Sequence, residues 1–497
     1  MSKSIAIIGA GIAGLSAGCY GRMNGFDTTI FELHDKPGGL CTAWERDGYT
    51  IDGCIQWLCG SSPRNRWNKN WRELGALPGA GVVDFEEFVR VESPEGKTLI
   101  VYTDVDRFEK HLLELSPADR PLIREFTNAV RYFARMDAAM ARENMSWSQK
   151  LGLYARLVPF FYRLMTGTSV SIQQFSARFQ DPFLKRYFKT IFDIPDFPLL
   201  GAYFSLGMMH NRAAGYPLGG SLEFSRRIER RYRELGGDIR YNSRVAKILV
   251  EDGKAVGVRL VDGTELRADY VISAADGHAT LFDMLGEQYL DKKALDYFKT
   301  LKPFPPLVYI GVGLDMNLGD RPHSVICYPD APLSIPGVSK PEVYFRHYCY
   351  DPSMAPTGKS ALIALFSSDY AVWKEIAADP SRYEAEKRAI ADQFIRFLDQ
   401  RFPGAKDHVE MIDVATPMTF ERYTGNWQGS FEGWLITTKS IKLRMRKTLP
   451  SVANFHMIGQ WVQPGGGVPT GAIHGQDVIK KICRENRLKF QTTEGAN

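Results

Sequence analysis

The sequence predicts an α/β fold, and three observations predict it. First, Ser4-Ile5-Ala6-Ile7-Ile8 is a short apolar run that breaks into Gly9-Ala10-Gly11-Ile12-Ala13-Gly14. Second, a helical pattern follows and leads into another strand, Thr28-Thr29-Ile30-Phe31, which ends at Glu32. Third, strand, glycine turn, helix, strand and acid stand at the spacing of a dinucleotide-binding βαβ unit. Gly9 makes the tight turn out of the strand, Gly11 lets backbone approach a pyrophosphate, and Gly14 lets the helix pack close on the sheet. The helix N-terminus offers unpaired N–H groups to phosphate. Glu32 is spaced to accept hydrogen bonds from an adenosine ribose.

The residues after Glu32 bear on which dinucleotide this is. Leu33-His34-Asp35-Lys36-Pro37 leads to Gly38-Gly39, then Leu40-Cys41-Thr42. A Gly-Gly pair at this distance resembles the second phosphate motif of FAD-binding proteins of the glutathione-reductase type. The same letters would also make a plain Pro-Gly-Gly turn. Both motifs in register favour FAD, on a Rossmann-type FAD-binding domain. Leu40 departs from the resemblance, since many such proteins carry Arg or Lys there; Thr42 and backbone amides are left to compensate.

Composition suits a large enzyme. The 497 residues exceed one core and fit two or three interleaved domains. Cys19, Cys41, Cys54, Cys59, Cys327, Cys349 and Cys483 are odd in number and form no CxxC pair. No apolar signal segment precedes the first strand, so a reducing, cytoplasmic setting without disulfides is expected. The nine histidines lack metal-ligand spacing, and no metal is expected. The tail from Gln491 to Asn497 is expected to fray.

Charge is unevenly spread. Between Arg131 and Lys189 ten basic residues face three acidic ones, a surplus of seven in a chain of net charge +5. Within that stretch Leu151 to Met165 is aromatic and aliphatic, with Arg156 and Arg163 two helical turns apart. Arginine and Pro159 interrupt it too often for a bilayer span. It fits an interfacial segment, aromatic rings in lipid and arginines on anionic headgroups, or a helical lid with solvated arginines. No recognised nucleic-acid-binding module accompanies the charge, so no nucleic-acid partner is expected.

The remaining elements follow in order. Val82 to Thr103 reads as a hairpin turning at Ser93-Pro94-Glu95-Gly96-Lys97, and Asp106 to Arg142 as helical. Gly219-Gly220-Ser221 opens a helix from Leu222 to Leu235. A strand-turn-strand from Lys254 to Leu266 precedes a buried strand, Ala268 to Ala274. Runs at 304–315 and 343–366 alternate as in an antiparallel sheet, and Glu384 to Phe402 is a long helix. Asn454 to Gly459 is a strand, followed by glycine-rich Gln463 to Pro469 and a helix from Gly471 to Asn486. Gly311-Val312-Gly313 lacks a third glycine and is no second dinucleotide site.

Taken in order, these pieces resemble the phytoene desaturase, carotenoid isomerase and retinol saturase group of flavoproteins, related to amine oxidases and Rab GDP-dissociation inhibitors. The resemblance rests on the N-terminal motifs, Gly48-Tyr49-Thr50-Ile51-Asp52-Gly53 and Tyr216-Pro217-Leu218-Gly219-Gly220-Ser221. It also rests on Asp351 to Gly358, on Thr416-Pro417 through Glu421-Arg422-Tyr423-Thr424, and on Pro464-Gly465-Gly466-Gly467-Val468-Pro469. It implies a discontinuous FAD-binding domain, 1–80, 218–290 and 415–490, with an inserted α+β substrate domain, 81–217 and 291–414. Residues 131–189 form a helical lid or membrane-associating segment in that scheme.

Carried over residue by residue, Gly9, Ala10, Gly11, Ala13 and Gly14 take the pyrophosphate, and Glu32 with Leu33 the ribose. Gly38, Gly39, Leu40 and Thr42 form the second phosphate motif. Val245 presents backbone to the adenine, and Ala274, where its strand runs into a loop, is a further cofactor-binding residue. Gly459 and Gly466, Gly467, Val468, Pro469 and Thr470 lie along the ribityl chain and isoalloxazine. Gln56 and Trp57 approach the flavin ring or pack in the core.

The resemblance implies hydride transfer between FAD and carbon-carbon bonds of a lipophilic isoprenoid or polyene substrate, drawn from a membrane surface into an apolar tunnel. Desaturation, saturation and cis–trans isomerisation share these motifs, and the external electron donor or acceptor is not named by them. An amine oxidase would want a small, polar-headed substrate. A prenyl-binding chaperone would keep the fold without flavin, against which the intact glycines and Glu32 argue. No catalytic base stands out; His210, Asp52, Glu421 and Tyr423 are candidates that also suit structural roles.

Overall fold

The computed structural model describes residues 2–77, 79, 81–140 and 166–494. A five-stranded parallel sheet runs in the order Asp238–Arg240, Asp27–Phe31, Ser4–Ile8, Tyr270–Ser273, Phe455–Met457. Its central strand is apolar throughout because both faces are covered. Ile5 and Ile7 face the helices Ile12–Met23, Gly220–Glu234 and Gly467–Glu485. Ala6 and Ile8 face an antiparallel sheet of Val245–Glu251, Lys254–Leu260 and Glu265–Arg267.

Glycines set how closely the helices approach. A Cβ on Gly18 would sit 2.7 Å from the Tyr232 ring. One on Gly475 would sit 2.5 Å from Ser16 Oγ and 2.6 Å from the Ala17 backbone nitrogen. Ser16 Oγ donates to the Ala472 carbonyl at 2.7 Å and fixes the crossing.

A second sheet of seven strands runs Val409–Ala415, Leu307–Leu314, Ser360–Ser367, Val343–His347, Ser324–Cys327, Glu87–Glu92, Thr98–Tyr102. It is antiparallel except between Ser324–Cys327 and Glu87–Glu92. The helices Tyr370–Ala377 and Pro380–Arg401 cover one face. The hairpin Ala43–Arg46 and Tyr49–Asp52 lies on the other. Gly311 and Gly313 admit it: a Cβ on either would sit 2.5 Å from Ile51 or Tyr49. Their glycine content is thus a packing requirement of the sheet.

An aromatic helical layer, Val105–Leu115, Arg120–Met140, Ile172–Ser176, Pro182–Tyr187 and Leu199–His210, packs beside the Glu87–Tyr102 hairpin. The single helical run expected from Asp106 to Arg142 is two helices, broken at Ser116-Pro117, where proline cannot continue the first helix. The run at 343–366 is two strands, and the last helix begins at Gly467 rather than Gly471. The tail is bound rather than frayed as far as Glu494. Gln491 exchanges two hydrogen bonds with Asn24, and Arg231 Nη2 donates to the Thr493 and Glu494 carbonyls. The interfacial segment expected at Leu151 to Met165 lies outside the described residues.

Replacing Gly475 with alanine should force the two crossing helices apart. An overpacking cost of about 1–3 kcal/mol is expected, read as a lower urea midpoint of the apoprotein; an unchanged midpoint would contradict the close contact.

Candidate cofactor-binding site

The three glycines of the first turn do different work. Gly9 leaves the strand at φ +94°, and a Cβ on Gly14 would fall 1.9 Å from the Gly9 carbonyl oxygen. Both are demanded by the turn itself. Gly11 is not: its φ of −67° suits any residue, and its Cβ would meet nothing closer than the Gly38 carbonyl at 3.8 Å. The missing side chain leaves space the fold does not use, as a bound pyrophosphate requires. Gly38 and Gly39 take φ of +112° and +61°, and the Gly38 N–H donates to the Ala10 carbonyl at 2.9 Å. The two glycine motifs therefore abut.

Glu32 is buried at the end of its strand. Its Oε2 accepts the Ala10 N–H at 2.6 Å and its Oε1 the His34 N–H at 2.9 Å. Burial raises its pKa and these donated N–H groups oppose that rise. The Ser243 N–H donates to the Glu32 carbonyl at 2.8 Å, which brings Val245 to the same end of the sheet. Ala274 donates its N–H to the Ile8 carbonyl and lies against Gly9 and Gly14. Leu33 packs beside Gly425.

A second helix starts next to the first. Neither Ile12–Met23 nor Gly467–Glu485 has a side-chain cap, so both N-termini keep N–H groups for an anion. Cβ atoms on Gly459 and Gly471 would lie 3.6 Å and 3.4 Å from Ala13 atoms, so the segment bearing Gly466, Gly467, Val468, Pro469 and Thr470 adjoins the first turn. His474 ties it down. Its Nδ1 is 3.2 Å from the Gly459 carbonyl and its Nε2 3.1 Å from the Gln463 side-chain amide. Burial pushes its pKa down to about 4, so the ring is neutral.

Sequence reasoning does not single out Glu432, whose only signal is an acid between Gly429 and Gly433. Its Oε1 lies 3.5 Å and 3.7 Å from the Cβ positions of Gly466 and Gly467. The residue is part-exposed, and desolvation pushes its pKa up to about 7.

The other expected residues are held differently. Leu40 packs on the Tyr49 and Ile51 cluster. The Thr42 carbonyl accepts the Gly53 N–H at 2.9 Å, and Thr42 Oγ1 turns toward the Ala43 carbonyl at 3.5 Å. Gln56 and Trp57 are gripped by the seven-stranded sheet and its aromatic layer. Gln56 Oε1 accepts from the Tyr344 hydroxyl and its carbonyl from Arg346 Nη1, both at 2.9 Å. Trp57 packs edge-on against Phe88, ring centroids 5.1 Å apart. Both line a pocket with Phe85, Phe88, Met209 and Arg346.

Three of the four candidate bases are tied into the fold, and the fourth is exposed. Fully buried Asp52 accepts from the Ser221 N–H, the Ser221 hydroxyl and the Cys54 N–H. His210 Nδ1 accepts the Val105 N–H at 3.3 Å. Glu421 accepts the Tyr370 hydroxyl, and Tyr423 is exposed at the surface.

Two tests follow from this geometry. Gly11→Val should fold with the melting temperature of the parent apoprotein but purify colourless, because its side chain fills only the pyrophosphate's space; a fully yellow variant would refute the placement. Glu432 holds a proton in the folded protein that the unfolded chain releases. Its contribution to stability is therefore present below the unfolded carboxylate pKa and is lost as pH rises through about 7. The unfolding midpoint of the apoprotein should fall less between about pH 5 and about pH 8 in Glu432→Gln than in the parent. Equal slopes would show that the carboxyl titrates normally.

The family profile of flavin containing amine oxidoreductases matches residues 12–476. Prolycopene isomerase of Daucus carota is 25% identical over 97% of this chain and 80% of its own length. The neurosporene-forming phytoene desaturase of Cereibacter sphaeroides is 26% identical over 96% of this chain and 94% of its own. A crystal structure of an oxidoreductase from Methanosarcina mazei shares the fold, with TM-score 0.60 and 19% identity over 96% of this chain and all of that one. Two uncapped helix N-termini, an open Gly11 and a buried ribose-side acid fit the dinucleotide this family carries. The chain belongs to the flavin containing amine oxidoreductases and is an FAD-dependent oxidoreductase.

Proposed function

We propose that the protein transfers hydride between FAD and carbon-carbon bonds of a lipophilic isoprenoid or polyene substrate, in the manner of a carotenoid desaturase. The observation that carries this reading is the joint one of fold and relatives. Proteins named for polyene desaturation and isomerisation align with nearly the whole chain. The small cleft walled by Trp57, Phe85, Phe88 and Met209 is apolar, the character such a substrate calls for.

In this reading 1–80, 218–290 and 415–490 bind FAD, and 81–217 with 291–414 bind substrate. Gly9 to Gly14 hold the phosphates, Glu32 the ribose, and Gly459 with Gly466 to Thr470 lies along the ribityl chain and isoalloxazine. FAD, when bound, supplies the hydride acceptor or donor. The chain supplies position and proton control: Gln56 is fixed by Tyr344 and Arg346, and Glu432 holds a proton at its carboxyl close to neutrality. A desaturase would use Glu432 in its anionic form to receive a proton, and a saturase in its acid form to give one. The prolycopene isomerase relative favours cis–trans isomerisation on reduced FAD as the second reading. Peripheral loading from a membrane belongs to the proposal as well. Among the described residues no helix is long and apolar enough to cross a bilayer.

The deciding experiment is an anaerobic visible spectrum of the FAD-loaded protein with carotenoid precursors and retinoids in anionic liposomes. Bleaching of oxidised flavin by a saturated precursor is the expected result. Isomer exchange seen only after dithionite reduction would select the second reading. No spectral change and no product in either redox state would overturn both.

A further inference from the structure

Two of the seven cysteines meet across the hairpin that carries Asp52. Ala43 pairs with Asp52 at the open end of that hairpin, and the Gly53 N–H donates to the Thr42 carbonyl at 2.9 Å. One step further along the same ladder Cys41 stands opposite Cys54. Neither cysteine N–H crosses the hairpin: that of Cys41 donates to the Gly38 carbonyl and that of Cys54 to Asp52 Oδ1. Theirs is therefore a non-hydrogen-bonded position, where opposed Cα atoms of an antiparallel pair stand about 4.5 Å apart and side chains come closest. The two thiols touch. Hydrogen bonding with the Cys41 thiol, and burial after it, pushes the Cys54 thiol pKa well up. Cys41 Sγ in turn donates to the Ser221 carbonyl at 3.7 Å. Cys41 is buried, Cys54 is half-buried, and both are free thiols.

Both cysteines border the cofactor site. Cys41 closes the turn of Gly38-Gly39, and a Cβ on Gly39 would lie 3.5 Å from Gly11 Cα. The helix Gly220–Glu234 holds that turn in place, since Ser225 Oγ donates to the Cys41 carbonyl at 2.6 Å. On the Cys54 side stands Glu432, whose charge also raises the Cys54 pKa and whose Oε1 adjoins Gly466 and Gly467. The pair thus lies between the second glycine motif and the C-terminal glycine segment, the two stretches assigned above to FAD.

A single buried cysteine packs as a small apolar side chain. Two in contact, at a Cα separation inside the range of about 4.4–6.8 Å that a disulfide spans, can also close an S–S bond with the backbone where it is. A dithiol and its disulfide differ by two electrons, the same number a flavin carries in hydride transfer. We propose that Cys41 and Cys54 are a redox pair that exchanges two electrons with bound FAD. In the oxidising direction both S–H bonds break and one S–S bond forms. The electron pair and one proton go to FAD, and the second proton goes to water. The reverse step restores the dithiol. The chain thus holds a second two-electron store beside the cofactor. The inference rests on the FAD placement above and is independent of which substrate the enzyme takes.

The test approaches one equilibrium from both sides, with neither substrate nor oxygen present. One mixture joins the dithiol protein to oxidised FAD. The other joins diamide-oxidised protein to an equal amount of FAD reduced beforehand. Both hold the same electrons, so their visible flavin absorbance and their thiol counts by alkylation should converge. Peptide mapping of the diamide-treated parent should show Cys41 linked to Cys54, a result that needs no variant. In Cys54→Ser and in Cys41→Ser, FAD should bind yet stay in the redox state in which it was added. Parent mixtures that remain apart overturn the exchange, and absence of the Cys41–Cys54 link overturns the pair itself. Convergence that survives in both serine variants overturns the assignment by placing the electrons elsewhere. A parent that retains no FAD on gel filtration overturns the cofactor placement, a failure distinct from the others.

Discussion

The candidate site depends on how closely the helices Ile12–Met23 and Gly467–Glu485 approach. Gly471 and Gly475 lie against Ala13, Ser16 and Ala17, and any side chain at Gly475 would occupy the Ala17 backbone nitrogen's contact distance. The contact puts two uncapped N-termini side by side, and their partial positive charges add over the same small volume. An anion there gains about 0.3–1 kcal/mol from each terminus at an exposed site, more where water is excluded. The helices come from opposite ends of the chain, so the anion site exists only once the parallel sheet has drawn both ends together.

Asp52 is the second constraint, and it joins the two sheets. Its carboxylate receives two hydrogen bonds from Ser221 and one from the Cys54 N–H, while the Tyr309 hydroxyl donates to its carbonyl. A Cβ on Gly220 would fall 2.2 Å from Asp52 Oδ2, which is why glycine opens that helix at φ +68°. The motifs Gly48 to Gly53 and Tyr216 to Ser221 therefore recognise each other. Burial raises the Asp52 pKa and the donors lower it, and with those donors in place the group is a fastener rather than a base.

Legibility followed distance along the chain. The first βαβ unit, Gly38-Gly39 and the late strand could be read because glycine spacing and apolar runs encode them within a few dozen residues. The break at Pro117 is also local, but the apolar period continues on either side of it and masks it. Arg346 and Glu432 were silent for a different reason. Arg346 sits in an apolar strand, where alternation suggests an outward-facing charge; only the Gln56 segment and the Phe85 ring, far away in sequence, bury it. Glu432 acquires its raised pKa from packing beside Gly466 and Gly467. Burial of a charge is a tertiary property, and no spacing rule reports it.

The same two residues bear on direction. Burial holds the Glu432 carboxyl near 7 while the adjoining helix N-terminus favours its anion, so it is poised between holding and releasing a proton. In the proposed reading a group so poised would serve proton loss from carbon and proton delivery to carbon alike, because forward and reverse steps share one path. Arg346 adds no preference, since a guanidinium stays charged throughout and neither gives nor takes a proton. Neither residue commits the site to desaturation or reduction. In the proposed reading direction would be set by the potential of the electron partner, and the protein's own contribution would be selection of what reaches the flavin and how it lies.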